Sequence, residues 1–438
     1  MKFTQGIPKV GSRSGRRRDM HHSHKFFSSM SAVMIGTGIS QLLMFAVLPI
    51  ASHFYEPNQY AVLVAFLALP NAILPAVSGR FEVAMVLPRN PRTARRLLGF
   101  AIQSCIITSL LVLVWTMFTA ESRGSTKALE PLFLLLAGLV AVFQYLLNRQ
   151  GRFAWLGISK VIVSATIVGA ILIMGFAGVG PAGLVIAYLA GQATGLTTLA
   201  ICNRDQVRDF VPMTSRVGCA TFSRYRDFPL FNAPGSLIDG VTIVLPVFFF
   251  EHYCSRADLG SLGMMMSVVF APAALVAMSI GQVNLRTVSK IVSDGGRAVG
   301  HVLRISAALW GLGILGALLA TFWGPEIFAM LLGEDYRESG RFAAVFAPAI
   351  GIRFAVSPLS STLAATQRNR LGMAWRCLAF VATLAILLFV GPTGSAIDIL
   401  SALAKVDVAL YLIYFAFILY AAARPNGPRA RTTTPVGR

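Results

Sequence analysis

The chain has 438 residues, of which 55% are hydrophobic and only 13% are charged, with a formal net charge of +20. A soluble domain carries about 25% charged residues, so this composition excludes an ordinary soluble protein. A basic excess can indicate a nucleic-acid partner, and the position of the charges decides whether that interpretation holds.

Twelve apolar runs are each close to the length of about 20 residues that crosses the hydrocarbon core of a bilayer. The first run follows a basic tail, but it is longer than the core of a signal peptide, which has about 7–15 residues. The sequence therefore predicts an all-α polytopic membrane protein with about twelve transmembrane helices. In chain order the predicted spans are Phe26–Ile50, Tyr60–Arg80, Leu97–Phe118, Leu129–Leu147, Leu156–Phe176, Pro181–Cys202, Phe228–Phe250, Leu259–Val283, Val299–Trp323, Phe342–Thr366, Leu371–Val390 and Ala396–Ala421.

The basic residues are distributed unevenly between the two sides of this topology. With a cytoplasmic N-terminus, 30 of the 38 Lys and Arg residues fall in cytoplasmic segments and five fall on the opposite side. This bias follows the positive-inside rule. We therefore expect a multi-pass membrane protein with both termini in the cytoplasm, and no nucleic-acid partner. The cytoplasmic segments are the N-terminal tail, "RNPRTARR", "NRQGR" through Lys160, Asn203–Asp227, Arg286–Arg304, "QRNRLGMAWR" and the C-terminal tail.

A weak internal repeat divides the chain into halves. Ala46–Pro70 aligns with Ile243–Pro272, about half a chain later and six spans apart. An even number of crossings gives parallel repeats, which often enclose a central cavity. We predict two six-helix lobes related by a pseudo-twofold axis, at residues 26–202 and 228–423, with a cytoplasmic linker at 203–227 and basic tails at 1–25 and 424–438.

Proline residues concentrate in the first, second, seventh, eighth and tenth runs. Each removes a helix hydrogen bond, which membranes tolerate where a neighbouring helix or a watery cavity satisfies the freed carbonyl. This distribution favours moving helices that line a cavity, while ordinary kinks in a static bundle remain the alternative.

Six ionisable residues lie within or at the end of the predicted spans. Such residues are costly in hydrocarbon, so they face the interior of a bundle, where they pair with one another or line a pathway. We predict three substrate-binding cavity cations and three coupling groups or counter-charges, with no catalytic residue and no metal site. The cations are Arg353, Arg80 and Lys405, and the acids are Asp239, Asp407 and Glu82.

Alternatives remain open for several of these six residues. Arg80 and Glu82 are near the headgroups, where a long side chain can snorkel to water. Asp407 can neutralise Lys405, although residues two apart face different sides of a helix. For Arg353, we predict a balancing carboxylate such as Asp239.

The cations suggest the chemistry of a substrate. Arginine presents a planar fork of donors that matches phosphate oxygens. A lipid with a phosphate-bearing head suits a path between two lobes, because its tails can stay in the bilayer. The sequence therefore favours a flippase for a phosphate-linked lipid.

Four stretches, Gly79–Leu98, Tyr225–Phe250, Val269–Val283 and Leu331–Trp375, resemble the polysaccharide biosynthesis membrane proteins. These are the Wzx-type O-antigen and exopolysaccharide flippases of the multidrug/oligosaccharidyl-lipid/polysaccharide (MOP) exporter superfamily, which shares its architecture with the MATE transporters. The resemblance implies two six-helix lobes around a cationic cavity and alternating access. It also implies an undecaprenyl-pyrophosphate-linked oligosaccharide as substrate, a polysaccharide polymerase and a chain-length regulator as possible partners, and no cofactor.

An antiporter and a membrane enzyme are the alternatives to a flippase. A MATE-like drug or cation antiporter shares the architecture but needs cavity acids, for which Asp239 is a candidate. A membrane polymerase or acyltransferase is disfavoured, because the outward loops are short and the six histidines have no acid–base spacing. The five cysteines have no CxxC spacing and indicate neither a disulfide framework nor a zinc site.

The charge asymmetry makes a testable prediction about topology. A reporter fused after Arg424 should report the cytoplasm, and one inserted near Ser255 should report the periplasm, because an even number of spans is needed to keep both basic tails inside. Paired alkaline phosphatase and fluorescent protein fusions measure this. Cytoplasmic signals at both positions would contradict the twelve-span topology.

Overall fold

The computed structural model describes residues 33–119, 125–207 and 216–424, and within these ranges the chain forms helices and turns without a strand. The N-terminal tail, the first residues of the first predicted span, part of the linker and nearly all of the C-terminal tail lie outside the described residues. The predicted all-α class is confirmed.

Twelve long helices follow one another in the described ranges. Ten of the helical segments are long and apolar enough to cross a membrane. The other two are α2, which has 17 residues, and α8, which has 38 residues. The helices are α1 (Val33–Ala51), α2 (Pro57–Ile73), α3 (Pro91–Thr119), α4 (Glu130–Arg149), α5 (Phe153–Phe176), α6 (Pro181–Val207), α7 (Ala233–Tyr253), α8 (Arg256–Ser293), α9 (Val299–Leu332), α10 (Arg337–Val356), α11 (Asn369–Val390) and α12 (Ala396–Ala423).

The second predicted span ends earlier than its apolar composition suggests. Helix α2 stops at Ile73, and turns follow until the short helix Phe81–Ala84. Pro75 contributes to the end of α2, because it has no amide hydrogen to donate to the carbonyl group one turn before it. The prediction of a helix continuing to Arg80 was therefore wrong.

Proline also interrupts the tenth predicted span. The α-helical geometry of α10 changes at Ser357–Ser360 to a 3-10 turn that contains Pro358. The short helix Ser361–Ala365 then completes the span.

The helices pack as two sets of six. In the first set α5 packs on α6, α4 on α6 and α3 on α4, while in the second α9 packs on α10, α10 on α12 and α11 on α12. We call these sets the N-lobe (α1–α6) and the C-lobe (α7–α12). Helix α2 packs against both α7 and α8 of the other lobe, so it provides the main contact between them.

Two glycines allow α2 to approach the C-lobe at backbone distance. A Cβ atom on Gly260 of α8 would stand 1.8 Å from the carbonyl oxygen of Pro57, and one on Gly240 of α7 would stand 2.3 Å from that of Ala72. Neither position can hold a side chain unless one of the backbones moves. The short distance between α2 and these two helices therefore depends on the two glycines.

Polar contacts also join the lobes at both ends of the bundle. We call the end with the α2–α3, α4–α5 and α10–α11 connections the basic end, and the opposite end the far end. At the far end the Tyr336 hydroxyl donates to the Tyr55 carbonyl at 2.6 Å, and Lys127 pairs with Glu251. At the basic end Arg80 reaches across to α7, as described below.

The close approach of α2 and α8 gives a stability prediction. Gly260→Ala should lower the apparent Tm of the purified protein, because the added methyl group must push apart two backbones, and overpacking costs about 1–3 kcal/mol. Gly311→Ala is the matched control, since no atom lies within 4 Å of a Cβ there. An apparent Tm for Gly260→Ala equal to or above that of the control would contradict the interface.

Candidate functional site

A cavity of about 360 Å³ lies inside the C-lobe. Its walls are mostly apolar and aromatic, with four charged side chains from α7, α10, α11 and α12. We call it the C-lobe cavity. It is lined by Asp239, Thr242, Ile243, Pro246, Leu262, Met265, Met266, Phe270, Phe346, Arg353, Trp375, Arg376, Ala379, Thr383, Leu400, Leu403, Asp407, Leu410 and Tyr411.

Arg353 and Asp407 form an ion pair across this cavity. Nη2 of Arg353 on α10 lies 2.5 Å from Oδ2 of Asp407 on α12, and Asp407 is the twelfth of the 28 residues of its helix. The pair is therefore far from both ends of α12. The carboxylate balancing Arg353 is Asp407 rather than Asp239, which corrects the example given by the sequence.

Three aromatic rings surround the guanidinium of Arg353. Its central carbon lies 5.3 Å from the ring centre of Phe270 and 5.6 Å from those of Phe346 and Tyr411. Ring faces attract a weakly hydrated guanidinium, so these rings help to offset the loss of water around the charge.

Arg353 keeps hydrogen-bonding capacity beyond Asp407. Its Nε atom is buried without a hydrogen-bond acceptor among the described residues, while other parts of the side chain leave 36% of its surface exposed. The residue is therefore held in place by Asp407 and by the aromatic rings, yet remains accessible from the C-lobe cavity.

A second ion pair lies in the same cavity. Nε of Arg376 on α11 lies 3.3 Å from Oδ1 of Asp239 on α7. Arg376 belongs to the basic stretch "QRNRLGMAWR" and also lies inside the eleventh predicted span; the structure places it within α11 and on the cavity wall. The sequence did not reveal its partner, because a basic residue near a helix end looks the same in sequence whichever neighbour it contacts.

Arg80 occupies an unusual backbone position at the basic end. Gly79 and Arg80 both have φ of +61°, a left-handed conformation that is uncommon for a residue with a side chain. Nε of Arg80 donates to Oγ of Ser236 on α7 at 2.7 Å. Arg80 therefore bonds to the other lobe rather than only snorkelling to headgroups.

Glu82 supplies the counter-charge to Arg80. Oε1 of Glu82 lies 3.5 Å from Nη1 of Arg80, and Glu82 is 4% exposed. The Ser78 hydroxyl also donates to this carboxylate. Ser236, which Arg80 contacts, precedes Asp239 by one turn of α7, so the Arg80 cluster adjoins the C-lobe cavity along that helix.

These contacts change the expected charge of the site. Arg80, Arg353 and Arg376 each lie beside a carboxylate, so the three arginines and their three partners add no net charge. The C-lobe cavity itself therefore carries no net charge from its four charged side chains, because Arg353 is paired with Asp407 and Arg376 with Asp239.

Lys405 lies away from the C-lobe cavity. It is exposed on α12, on the same side as the exposed residues Leu412, Ile413 and Tyr420, whereas Asp407 faces inward. Two residues along an α-helix correspond to a rotation of about 200°. The predictions that Lys405 is a cavity cation and that Asp407 neutralises it are both replaced by the Arg353–Asp407 pair.

A smaller cavity, of about 250 Å³, lies inside the N-lobe, and we call it the N-lobe cavity. Its lining, as far as the described ranges show, includes one basic side chain, Lys160 of α5, whose Nζ donates to the Thr37 hydroxyl of α1 at 3.0 Å. Lys160 belongs to the basic stretch that is expected on the cytoplasmic side, and it also lies inside the fifth predicted span. The lining residues are Ser40, Leu74, Ala137, Val140, Ala141, Gln144, Lys160, Val163 and Gln192.

Comparison with known proteins gives the relationships of this chain. A family described as polysaccharide biosynthesis protein matches residues 90–340, which is more than half of the chain. Among curated proteins no significant match is found.

Solved structures share the fold at low sequence identity. The chain is similar to lipid II flippase MurJ in an inward closed conformation, with a TM-score of 0.70 and 15% identity over 88% of this chain and 86% of that one. It is also similar to an inward-facing multidrug resistance MATE family transporter of the MOP superfamily, with a TM-score of 0.62 and 12% identity over 89% and 95%. A MOP superfamily transporter from Pyrococcus furiosus Vc1 (DSM3638), whose binding pocket is described as having reverse polarity, matches with a TM-score of 0.50 and 11% identity over 92% and 95%.

These structures confirm the expected architecture, and the family match confirms the resemblance seen in the sequence. The chain belongs to the polysaccharide biosynthesis protein family and has the helical, two-lobed fold of the MOP superfamily transporters.

Proposed function

We propose that this protein is a flippase that moves a lipid-linked oligosaccharide of the undecaprenyl-pyrophosphate type from the cytoplasmic to the periplasmic leaflet of a bacterial inner membrane. The basic end faces the cytoplasm, as the positive-inside rule requires. The observation that carries the proposal is Arg353, a guanidinium deep in a family member's helical bundle that remains accessible from an intramembrane cavity.

A phosphate group is the guest that best matches this arginine. Guanidinium donors are arranged in a planar fork that fits phosphate oxygens. Asp407 supplies the counter-charge when no substrate is bound, which offsets the cost of burying the guanidinium and holds it in place. A conformational change that separates Arg353 from Asp407 would let a phosphate take the place of the carboxylate, so that the guanidinium keeps an anionic partner.

The contacts between the lobes suit alternating access. Helix α2 packs on α7 and α8, and polar contacts join the lobes at each end. At the basic end the contact is Arg80 with Ser236, and at the far end Lys127 pairs with Glu251. Opening the basic end requires separation of Arg80 from Ser236, and opening the far end also breaks the buried hydrogen bond from Tyr336 to the Tyr55 carbonyl.

The antiporter alternative is weakened by the same ion pairs. A cation-binding acid needs a free carboxylate, whereas Asp239 is beside Arg376 and Asp407 is beside Arg353. The similarity of this chain to the MATE transporter is a similarity of fold. We also propose a polysaccharide polymerase and a chain-length regulator as partners, because these would act on the glycan after its export.

The proposal predicts different outcomes for substitutions of Arg353. Arg353→Lys should retain part of glycan export, since it keeps the charge but loses the planar fork. Arg353→Ala leaves Asp407 buried without its partner, which costs about 3–5 kcal/mol, so its membrane abundance should fall. The double substitution Arg353→Met with Asp407→Leu replaces the pair by apolar side chains and should insert normally but abolish export.

Surface polysaccharide and membrane abundance are measured together in cells lacking the parent gene. Arg337→Ala is the matched control, because Arg337 is on the same helix but pairs at 2.7 Å with the exposed Glu334, and such surface pairs contribute only about 0–1 kcal/mol. A double variant that is present at the parental level and exports at the parental rate would refute the role of Arg353.

A further inference from the structure

The N-lobe cavity differs in charge from the C-lobe cavity. Its polar side chains are Ser40, Gln144, Lys160 and Gln192, and no carboxylate is among its lining residues in the described part of the chain. Lys160 donates to the neutral hydroxyl of Thr37. The ammonium group therefore has a hydrogen-bond acceptor but no counter-charge in its cavity.

Helix order shows that Lys160 is the N-lobe counterpart of Arg376. Each is the eighth residue of the fifth helix of its lobe, α5 in one case and α11 in the other. Each side chain also reaches the first helix of its lobe. In the C-lobe that partner is the carboxylate of Asp239, and in the N-lobe it is the hydroxyl of Thr37.

The comparison between lobes isolates one difference. Two basic residues at matching positions line two intralobe cavities, and within the described part of the chain Arg376 meets an acid whereas Lys160 meets a hydroxyl. A lysine within a membrane span without a counter-charge is costly. Because no carboxylate of the described cavity wall pairs with Lys160, an anion from outside the protein can supply the missing negative charge.

We propose that the N-lobe cavity is a binding subsite for a phosphoryl anion, with Lys160 supplying the charge. The amide groups of Gln144 and Gln192 and the hydroxyl of Ser40 add neutral hydrogen-bond donors around it. This inference rests on the proposed function, because it takes the diphosphate of a polyprenyl lipid as the anion.

The position of Lys160 fits a lipid head arriving from the cytoplasmic leaflet. Seven residues separate it from the start of α5 at the basic end, which is a rise of about 10 Å. A diphosphate at the membrane surface therefore has a short distance to travel, while its polyprenyl tail stays in the hydrocarbon. No carboxylate of the described cavity wall repels it.

Equilibrium binding tests this subsite directly. The protein is placed in nanodiscs of zwitterionic phosphatidylcholine, and its affinities for a polyprenyl diphosphate and for the uncharged polyprenol are measured. Lys160→Met should weaken diphosphate binding by about tenfold or more while leaving polyprenol binding unchanged, since only the charged head meets the ammonium. Lys160→Arg should stay within about threefold of the parent.

Two further variants separate binding from structure. Lys405→Met removes an intramembrane cation that lies outside both described cavities and should bind diphosphate like the parent. Thr37→Val breaks the bond from Lys160 to α1 but keeps the charge, so it should also retain affinity. If Thr37→Val and Lys160→Met lose the same amount of diphosphate affinity, Lys160 has a structural role and the proposed subsite is wrong.

The remaining outcomes distinguish the subsite from the proposed function. If Lys160→Met is monodisperse and binds diphosphate like the parent, the anion binds elsewhere and the subsite is refuted while the flippase proposal stands. If the parent itself does not prefer the diphosphate to polyprenol, the subsite and the proposed substrate class both fail.

Discussion

A charged side chain inside a membrane bundle must be compensated where it stands, because neither water nor mobile ions reach it as they reach a surface group. The Arg353–Asp407 pair is the main example in this protein, and it imposes a geometric demand on the fold. Helices α10 and α12 must hold two side chains at 2.5 Å while α8 and α10 present aromatic rings to the same guanidinium. The packing of the C-lobe follows from that demand, since a shift of one helix by a single residue would separate the charges.

The contact between the lobes obeys a different constraint. Apolar side chains gain little by leaving lipid for another helix, so membrane helices associate closely where small residues let backbones approach. Gly240 and Gly260 meet α2 in this way. These close approaches lie within a larger cluster of buried side chains from both lobes, which includes Leu63 of α2 and Leu262 of α8. Polar contacts at the two ends can then bias which side is closed without carrying the whole interface.

The sequence predicted the architecture well because length and hydropathy report directly on a bilayer. It also identified Arg353, Asp239 and Asp407 as interior charges, since their depth in the apolar runs is unambiguous. It could not predict which charges pair, because pairing depends on helix rotation and on neighbours far apart in the chain. Position 376 illustrates the limit. The segment count places this arginine on the cytoplasmic side, and only the packing of α11 against α7 reveals that it pairs with Asp239 on the cavity wall.

The difference between the lobes bears on how an anionic head would move through the protein. In the C-lobe a phosphate approaching Arg353 also approaches Asp407, and two anions near one guanidinium repel each other at low dielectric. In the N-lobe the lining near Lys160 presents no such acid among the described residues. An anion therefore meets less repulsion in the N-lobe cavity, while the C-lobe site accepts it only if Asp407 yields its place. On the proposed function, that difference gives the two lobes unequal roles within a shared architecture: one receives the head group, and the other holds it only after a conformational change has separated the resident pair.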